Sequence, residues 1–229
     1  MKSPAARKLR TPTQAPSRGA GARPAPAPAL LALPRRIVSL GIDPGRSAGV
    51  ALAVLDPGDT LPRIVGAWSV WTAAGTPDEE WLARMEAALA EAAAAARSLG
   101  VEPRDVVAWI ERPGSRSSWG RGPNRRRRGE VTVRGVAEIE GLARGAWHRI
   151  AGVLPRQVEQ VEWCRSWYPA IEAGKRGEGY HRIQEVAGIL PGARDALDGL
   201  PGATQADRAR RVDVAEAMLI AGAAGVVRR

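Results

Sequence analysis

The 229-residue sequence has almost no cysteine and no phenylalanine. Its single cysteine, Cys164, excludes an internal disulfide and a zinc site made of several cysteines. No stretch approaches the roughly eighteen uncharged apolar residues of a membrane-spanning helix. The apolar part of the N-terminal region, 25–34, is interrupted by prolines and is too broken for the core of a signal peptide. We therefore expect a cytoplasmic protein without a membrane segment.

Acidic residues are absent from two stretches that are rich in arginine. The residues before Ile37 carry eight lysines and arginines, and the segment Arg112–Arg128 carries seven arginines. Without these stretches the net charge of +10 would become slightly negative. Such a charge distribution is typical of proteins that bind phosphates of nucleic acid, although a solubilising tail and a solvated loop are the alternative. We predict a disordered Pro/Ala/Arg-rich tail over 1–35 and one folded domain over 36–229, with an arginine-rich loop at 112–129.

The hydrophobic pattern predicts alternating strands and helices. Apolar runs bounded by turn residues predict five strands, at 36–43, 47–55, 63–71, 105–111 and 158–163. Helical periodicity predicts five helices, at 81–98, 131–150, 164–173, 180–190 and 205–224, with a loop at 191–204. Three antiparallel strands open the chain, and an ordinary crossover makes the fourth parallel to the first. This order predicts an α/β fold, a mixed five-stranded sheet with helices on both faces.

Four acids stand where such a sheet could bring them together. Asp43 and Glu111 each end an apolar strand, where two unpaired carboxylates would repel each other and burial would be costly. Asp213 and Glu216 are three residues apart in an apolar helix and so share one face. Mg²⁺ prefers a few carboxylates plus water. The four acids could hold two Mg²⁺ ions about 4 Å apart, an arrangement that supports in-line attack on a phosphodiester.

Each acid also has an ordinary structural alternative. Asp-Pro-Gly is a common turn, so Asp43 could end its strand for that reason alone. The other acids could form ion pairs with neighbouring arginines: Glu111 with Arg112, and Asp213 and Glu216 with Arg210 and Arg211. The joint occurrence of the four acids in this order favours the metal site over these alternatives.

The motifs that carry these acids resemble those of the RuvC family of Holliday-junction resolvases. The first motif is similar to Ile37-Val-Ser-Leu-Gly-Ile-Asp-Pro-Gly45 followed by Ser47-Ala-Gly-Val-Ala51. The second is similar to Val107-Ala-Trp-Ile-Glu111, and the last to Val212-Asp-Val-Ala-Glu-Ala-Met-Leu-Ile-Ala221. The family's glycine-containing helix resembles 132–151. The resemblance covers about residues 36–224, in the family's order.

The resemblance implies an RNase H-like fold over 36–229, a homodimer, and paired nicks across four-way or otherwise branched DNA during recombination and repair. It implies that the catalytic residues and metal ligands are Asp43, Glu111, Asp213 and Glu216, which bind two Mg²⁺ ions, with Mn²⁺ expected to substitute. The sequence departs from the family at Glu216, where Asp is more frequent. The family's assisting lysines have only Arg165 and Lys175 in the corresponding region. The longer arginine-rich loop favours a divergent phage or mobile-element member.

The loop after Glu111 supplies candidates for DNA contact. Phosphates could be bound by Arg112, Arg116, Arg125, Arg126, Arg127 and Arg128, and Trp119 could stack on an unpaired base. The alternative is a solvated loop with an incidental tryptophan. The other tryptophans in periodic segments are predicted to be core residues, namely Trp68, Trp71, Trp81 and Trp109. A core position is also favoured over the DNA face for Trp163 and Trp167.

Three other functions remain open at this point. One is a flap-selective or general nuclease of the same fold, and another is a nucleic-acid-binding protein without catalysis, which four intact acids argue against. The third is a small-molecule kinase of the actin and sugar-kinase superfamily, because Asp43-Pro-Gly-Arg-Ser47 meets that superfamily's phosphate-hairpin pattern. Those kinases need two such domains and a second glycine-rich motif, and neither is found here.

Overall fold

The structure of the protein is a computed structural model, and it describes residues 35–45, 47–73, 76–112, 123–167, 187–200 and 204–226. Its described strands are β1 (Ile37–Asp43), β2 (Ser47–Leu55), β3 (Arg63–Trp71), β4 (Val107–Glu111) and β5 (Arg156–Val158). They form one five-stranded sheet in the order β3-β2-β1-β4-β5. The pairs β1/β2 and β2/β3 are antiparallel, whereas β1/β4 and β4/β5 are parallel. The predicted mixed sheet is confirmed.

The described helices are α1 (Asp78–Ser98), α2 (Pro123–Ala151), α3 (Gln160–Arg165), α4 (Ala193–Asp198) and α5 (Gln205–Val226). Three acids in the first turn favour the start of α1, because the N-terminal end of a helix carries partial positive charge: Asp78, Glu79 and Glu80. A 3₁₀ turn, Pro103–Asp105, leads into β4. None of the helices in these ranges is long and apolar enough to cross a membrane.

Each face of the sheet is covered by its own apolar layer, because successive side chains of a strand point to opposite faces. The layer under α1 and α2 includes Val38, Leu40, Ile42, Met85, Leu89 and Trp147. The layer under α5 includes Ala51, Ala53, Trp109, Met218 and Ile220. Helices therefore lie on both faces, as predicted, and α5 lies across the central strands.

The chain after β4 differs from the predicted elements in three places. The strand predicted at 158–163 is the shorter β5, and α3 follows it because the Glu162 carboxylate accepts a 2.8 Å hydrogen bond from the backbone N–H of Glu159. Helix α2 begins at Pro123, so 123–129 is helical rather than part of the predicted loop, in keeping with the high helix propensity of arginine. The predicted loop at 191–204 contains α4, which begins after Gly192 with a φ of 79°.

Several predictions concern residues outside the described ranges. The predicted helices at 164–173 and 180–190 fall mostly there. Arg35 is the one residue of the predicted tail, 1–35, that lies within the described ranges. The domain boundary therefore stays a prediction.

The tryptophans predicted to be core residues divide into buried and exposed ones. The buried ones are Trp81, Trp109, Trp163 and Trp167. Trp68 is partly buried. The core prediction is wrong for Trp71, which is 38% exposed. Trp71 is the last residue of β3, an edge strand of the described sheet. No further described strand covers that edge, so an apolar residue there can stay exposed even though the local sequence pattern is typical of a buried strand.

Candidate metal centre

Two glycines and a serine allow α5 to lie directly on the backbone of the sheet. A Cβ atom at Gly41 would come within 2.1 Å of the Ala217 carbonyl oxygen, and one at Gly49 within 2.2 Å of the Asp213 carbonyl oxygen. The buried Ser39 hydroxyl donates a 2.7 Å hydrogen bond to the Ala221 carbonyl. This close approach carries the acids of α5 to the end of β1.

Three carboxylates form a compact group at that end of the sheet. Asp43, Asp213 and Glu216 each offer an oxygen within 4.8 Å of the others. All three side chains keep part of their surface in contact with solvent. A side-chain hydrogen bond between the carboxyl groups of Asp43 and Glu216 raises the pKa of Asp43 and lowers that of Glu216.

The fourth predicted acid, Glu111, lies beside this group rather than within it. The register Ile42↔Ile110 places the end of β4 next to the end of β1, and Glu111 is close enough to raise the pKa values of Asp43 and Glu216 by repulsion. The indole Nε1 of Trp163 donates a 2.9 Å hydrogen bond to Glu111 Oε2. We call Asp43, Glu111, Asp213 and Glu216 the acidic cluster.

Two polar partners of the acidic cluster were not identified from the sequence. The hydroxyl of Ser47, the first residue of β2, donates a hydrogen bond to Oδ2 of Asp213 in α5. The buried Trp163 of α3 donates to Glu111. Ser47 belongs to the first motif, which could have indicated a role. Trp163 gave no signal that separates it from an ordinary core tryptophan.

Burial raises the pKa of every acid in the cluster. The pKa of Asp43 lies well above its ordinary value, first because of burial and then because of repulsion from the other three acids. Burial followed by repulsion from Glu111 raises the pKa of Glu216 to about 8, although the hydrogen bond with Asp43 lowers it. Burial raises the pKa of Glu111 to about 7 and that of Asp213 to about 6, against the lowering effect of the Trp163 and Ser47 hydrogen bonds.

The thiol of Cys164 faces the same negative environment. Burial, with repulsion from Glu111 and then Glu216, raises the pKa of Cys164 to about 12. The thiol therefore stays protonated at neutral pH and is no nucleophile.

The arginines proposed as ordinary ion-pair partners are engaged elsewhere. Arg210 pairs with Asp207 at 3.2 Å, and Arg211 pairs with Asp198 at 3.0 Å. Among the described residues no ion pair joins Glu111 to Arg112, whose side chain is exposed. The structure therefore does not support the ion-pair alternatives.

The candidate DNA-binding residues are described in part. Arg112 is exposed and follows Glu111 directly at the end of β4. Arg116, Trp119 and Lys175 lie outside the described residues. Arg125, Arg126, Arg127 and Arg128 lie in the first turns of α2, and Arg165 ends α3, with their side chains outside the description.

The donors of the acidic cluster suit a hard divalent cation. They are carboxylate oxygens alone, the ligands that Mg²⁺ and Mn²⁺ prefer. Repelling carboxylates with raised pKa values, two of them sharing a hydrogen bond, are the arrangement that a divalent cation would relieve. The residues therefore fit such an ion.

The chain is similar to solved structures, but no family model and no curated protein matches its sequence. A Thermus thermophilus RuvC structure matches with a TM-score of 0.52 and 18% identity, over 84% of this chain and 96% of that one. T. thermophilus RuvC in complex with a Holliday junction substrate matches with a TM-score of 0.48 and 21% identity, over 82% and 92%. A ROK hexokinase from T. thermophilus matches with a TM-score of 0.30 and 20% identity, over 56% and 36%.

The likeness to the first of these RuvC structures bears on the fold. At 18% identity it shows a common architecture and no more, and the other two superpositions are too loose to carry an argument. The chain thus has an RNase H-like fold: a mixed five-stranded sheet with antiparallel and parallel strands and with helices on both faces.

Proposed function

We propose that the protein is a Mg²⁺-dependent endonuclease that resolves Holliday junctions or related branched DNA. The observation that carries the proposal is the convergence of Asp43, Asp213 and Glu216 within 4.8 Å at the rim of an RNase H-like sheet, with Glu111 beside them. Residues distant in the sequence contribute these carboxylates, and their burial is unfavourable without a cation. A role in DNA recombination and repair follows from this activity.

Each acid of the cluster has a part in this proposal. Asp43, Glu111, Asp213 and Glu216 would hold two divalent ions, Mg²⁺ or in its place Mn²⁺. The bound ions would supply the activation of a water molecule and the stabilisation of the leaving oxygen. The Ser47 and Trp163 hydrogen bonds fix the orientation of Asp213 and Glu111 before any substrate arrives. The backbone of α5 at Asp213 contacts the sheet at Gly49, which fixes this residue against β2.

The basic residues near β4 provide the electrostatic attraction for DNA. Arg112 is exposed directly after Glu111, so it can contact the phosphate next to the one that reacts. We assign further phosphate contacts to Arg116, Arg125, Arg126, Arg127, Arg128, Arg165 and Lys175, and base stacking to Trp119. A net charge of +10 makes strong, salt-dependent binding to DNA the expected behaviour.

A homodimer is part of the proposal, because paired nicks on a four-way junction require two active sites. Sedimentation of the full chain should give twice the monomer mass of 24.3 kDa. A monomer at all concentrations would limit the protein to single nicks. The cytoplasmic location stays a prediction.

The substrate is tested by a cleavage panel. With Mg²⁺ the protein should nick a synthetic four-way junction faster than a flap, a splayed arm or a duplex of equal length, and EDTA should stop all cleavage. Equal rates on junction and duplex would leave a flap-selective or general nuclease. Binding without cleavage under every metal condition would leave a non-catalytic DNA-binding protein.

A further inference from the structure

A cavity of about 500 Å³ opens at the β3 edge of the described sheet. It lies between β3, α1 and α5. Its wall includes the tryptophans Trp68 and Trp71, the arginines Arg84 and Arg210, and the polar residues Ser69 and Glu91. We call it the rim cavity. None of these side chains belongs to the acidic cluster or to the arginine-rich loop.

The rim cavity lies in line with the acidic cluster across the sheet. The register pairs Asp43 with Gly49 and Gly49 with Ser69, so these residues form a row across three strands. Two strand spacings separate its ends by roughly 10 Å, which is about three nucleotides of stacked strand at about 3.4 Å each. Helix α5 covers Gly49, so a DNA strand from the acidic cluster reaches the cavity around the end of the sheet, where Ser47 pairs with Trp71, within a few nucleotides.

Trp71 has the features of a stacking platform. Trp71 lines the cavity and is 38% exposed, and the guanidinium carbon of Arg210 lies 3.8 Å from the centroid of its ring. The backbone carbonyl of Trp71 accepts a 2.9 Å hydrogen bond from Arg84. Asp207 holds Arg210 at 3.2 Å, and Arg210 precedes Asp213 by one helical turn. Because these contacts hold the ring in place, the side chain loses little conformational entropy when a base stacks on its exposed surface.

Donor groups and size indicate the class of ligand. Arg84 pairs with Glu80 at 2.7 Å and Arg210 with Asp207 at 3.2 Å, so a phosphate would be bound by the guanidinium N–H groups that these pairs leave over rather than by an excess of positive charge. The acid in the wall, Glu91, accepts a 2.6 Å hydrogen bond from Trp68. A volume of about 500 Å³ lies in the range of small-ligand sites and is large enough for one nucleotide. Aromatic rings beside guanidinium groups are the combination that binds unpaired nucleotides.

An added protein strand fits the edge of β3 less well. The Ile64 backbone N–H donates to the Pro191 carbonyl at 2.8 Å near the start of β3, and Arg84 occupies the Trp71 carbonyl at its end. Backbone groups needed for pairing with another strand are thus already used at both ends.

We propose that the rim cavity binds one unstacked nucleotide of the DNA strand that leaves the acidic cluster, with its base on Trp71 and its phosphate near Arg84 and Arg210. The proposal rests on the proposed function for its ligand, since it places branched DNA on the cluster. It adds a base-binding site on the side of the sheet opposite to β4 and the arginine-rich loop.

The test is a double-mutant cycle that combines removal of a side chain with removal of a base. The full chain carrying Asp43→Asn, which prevents cleavage, is titrated with four-way junctions in which a single abasic residue is moved along the strand. One or two positions within a few nucleotides of the crossover should weaken binding by about tenfold. Trp71→Ala should weaken binding to the intact junction by a similar factor and should abolish the further loss at those positions.

Two variants guard against an indirect effect. Trp71→Phe should keep most of the base-dependent binding, because it retains an aromatic face. Leu154→Ala, an equally apolar change at a side chain 57% exposed between α2 and β5, should leave the abasic profile unchanged. A Trp71→Ala protein that loses affinity equally at every abasic position, or loses none, would overturn the proposal. Because binding is measured without cleavage, this failure is distinct from an absence of Mg²⁺-dependent nicking.

Discussion

The indole Nε1 of the fully buried Trp163 lies 2.9 Å from Oε2 of Glu111 and donates a hydrogen bond to it. Glu111 is thereby held at the end of β4 beside Asp43. Burial raises the pKa of Glu111 to about 7, although this hydrogen bond lowers it. A core residue of one helix thus sets both the orientation and the charge of an acid in the proposed metal centre.

Trp163→Phe removes this donor and keeps most of the ring volume. The pKa of Glu111 should rise above about 7, so that more of it is protonated at neutral pH and the affinity for Mn²⁺ falls by about tenfold. Calorimetric titration with Mn²⁺ at pH 7 and pH 9 should show the loss at pH 7 and partial recovery at pH 9. Trp147→Phe is the matched control, because its buried indole N–H has no hydrogen-bond partner among the described residues. An equal loss in both variants would contradict a specific role for Trp163.

Gly49→Ala places a methyl group where α5 contacts β2. The added Cβ would lie 2.2 Å from the Asp213 carbonyl oxygen, a contact that the backbone must relieve by moving α5. The variant should lose about 2–3 kcal/mol of unfolding free energy and bind Mn²⁺ more weakly, since Asp213 moves with the helix. Gly141→Ala is the control, because nothing lies within 4 Å of its Cβ position in α2. It should be neutral or stabilising by up to about 1 kcal/mol in urea denaturation.

The stability of the metal-free protein should fall as the pH rises from about 4 to about 8. The pKa values of Glu111, Asp213 and Glu216 are raised to about 7, 6 and 8, so the folded protein binds more protons than the unfolded chain across this range. Stability therefore decreases with pH there. Thermal melts from pH 4 to 9 measure this, and Mg²⁺ should raise Tm more at pH 8 than at pH 5. A metal-free Tm that rises steadily from pH 5 to 8 would contradict the raised pKa values.

Arg112→Ala should weaken DNA binding in a salt-dependent way. One lost phosphate contact lowers the slope of log K against log salt by about 0.9 and affects all sequences alike. Fluorescence anisotropy of the Asp43→Asn protein on a four-way junction between 50 and 200 mM salt measures the slope. Arg97→Ala provides the comparison, because Arg97 is an exposed arginine in the last turn of α1, before β4 begins. An unchanged slope for Arg112→Ala would remove Arg112 from the interface.

The first four strands and the last helix follow closely from the sequence. Apolar runs ending in Asp43 and Glu111 predict β1 and β4 because burial on both faces leaves a simple local pattern. The sequence was less informative where tertiary contacts decide the structure. β5 is only three residues long, and a side chain-to-backbone hydrogen bond of Glu162 turns the following segment into α3. The contact of Gly49 with α5 and the exposure of Trp71 depend on which elements lie next to each other, and periodicity does not report this.

The most direct test of the account compares Mg²⁺-dependent nicking of a four-way junction by the parent protein and by Asp43→Asn. Asp43 is central to the acidic cluster, since its pKa responds to all three other acids. The account predicts that the parent nicks the junction with Mg²⁺, and that Asp43→Asn folds and binds the junction but nicks it more slowly by roughly 10³-fold or more. Equal nicking by both proteins would contradict a metal-dependent nuclease centre built on these four carboxylates.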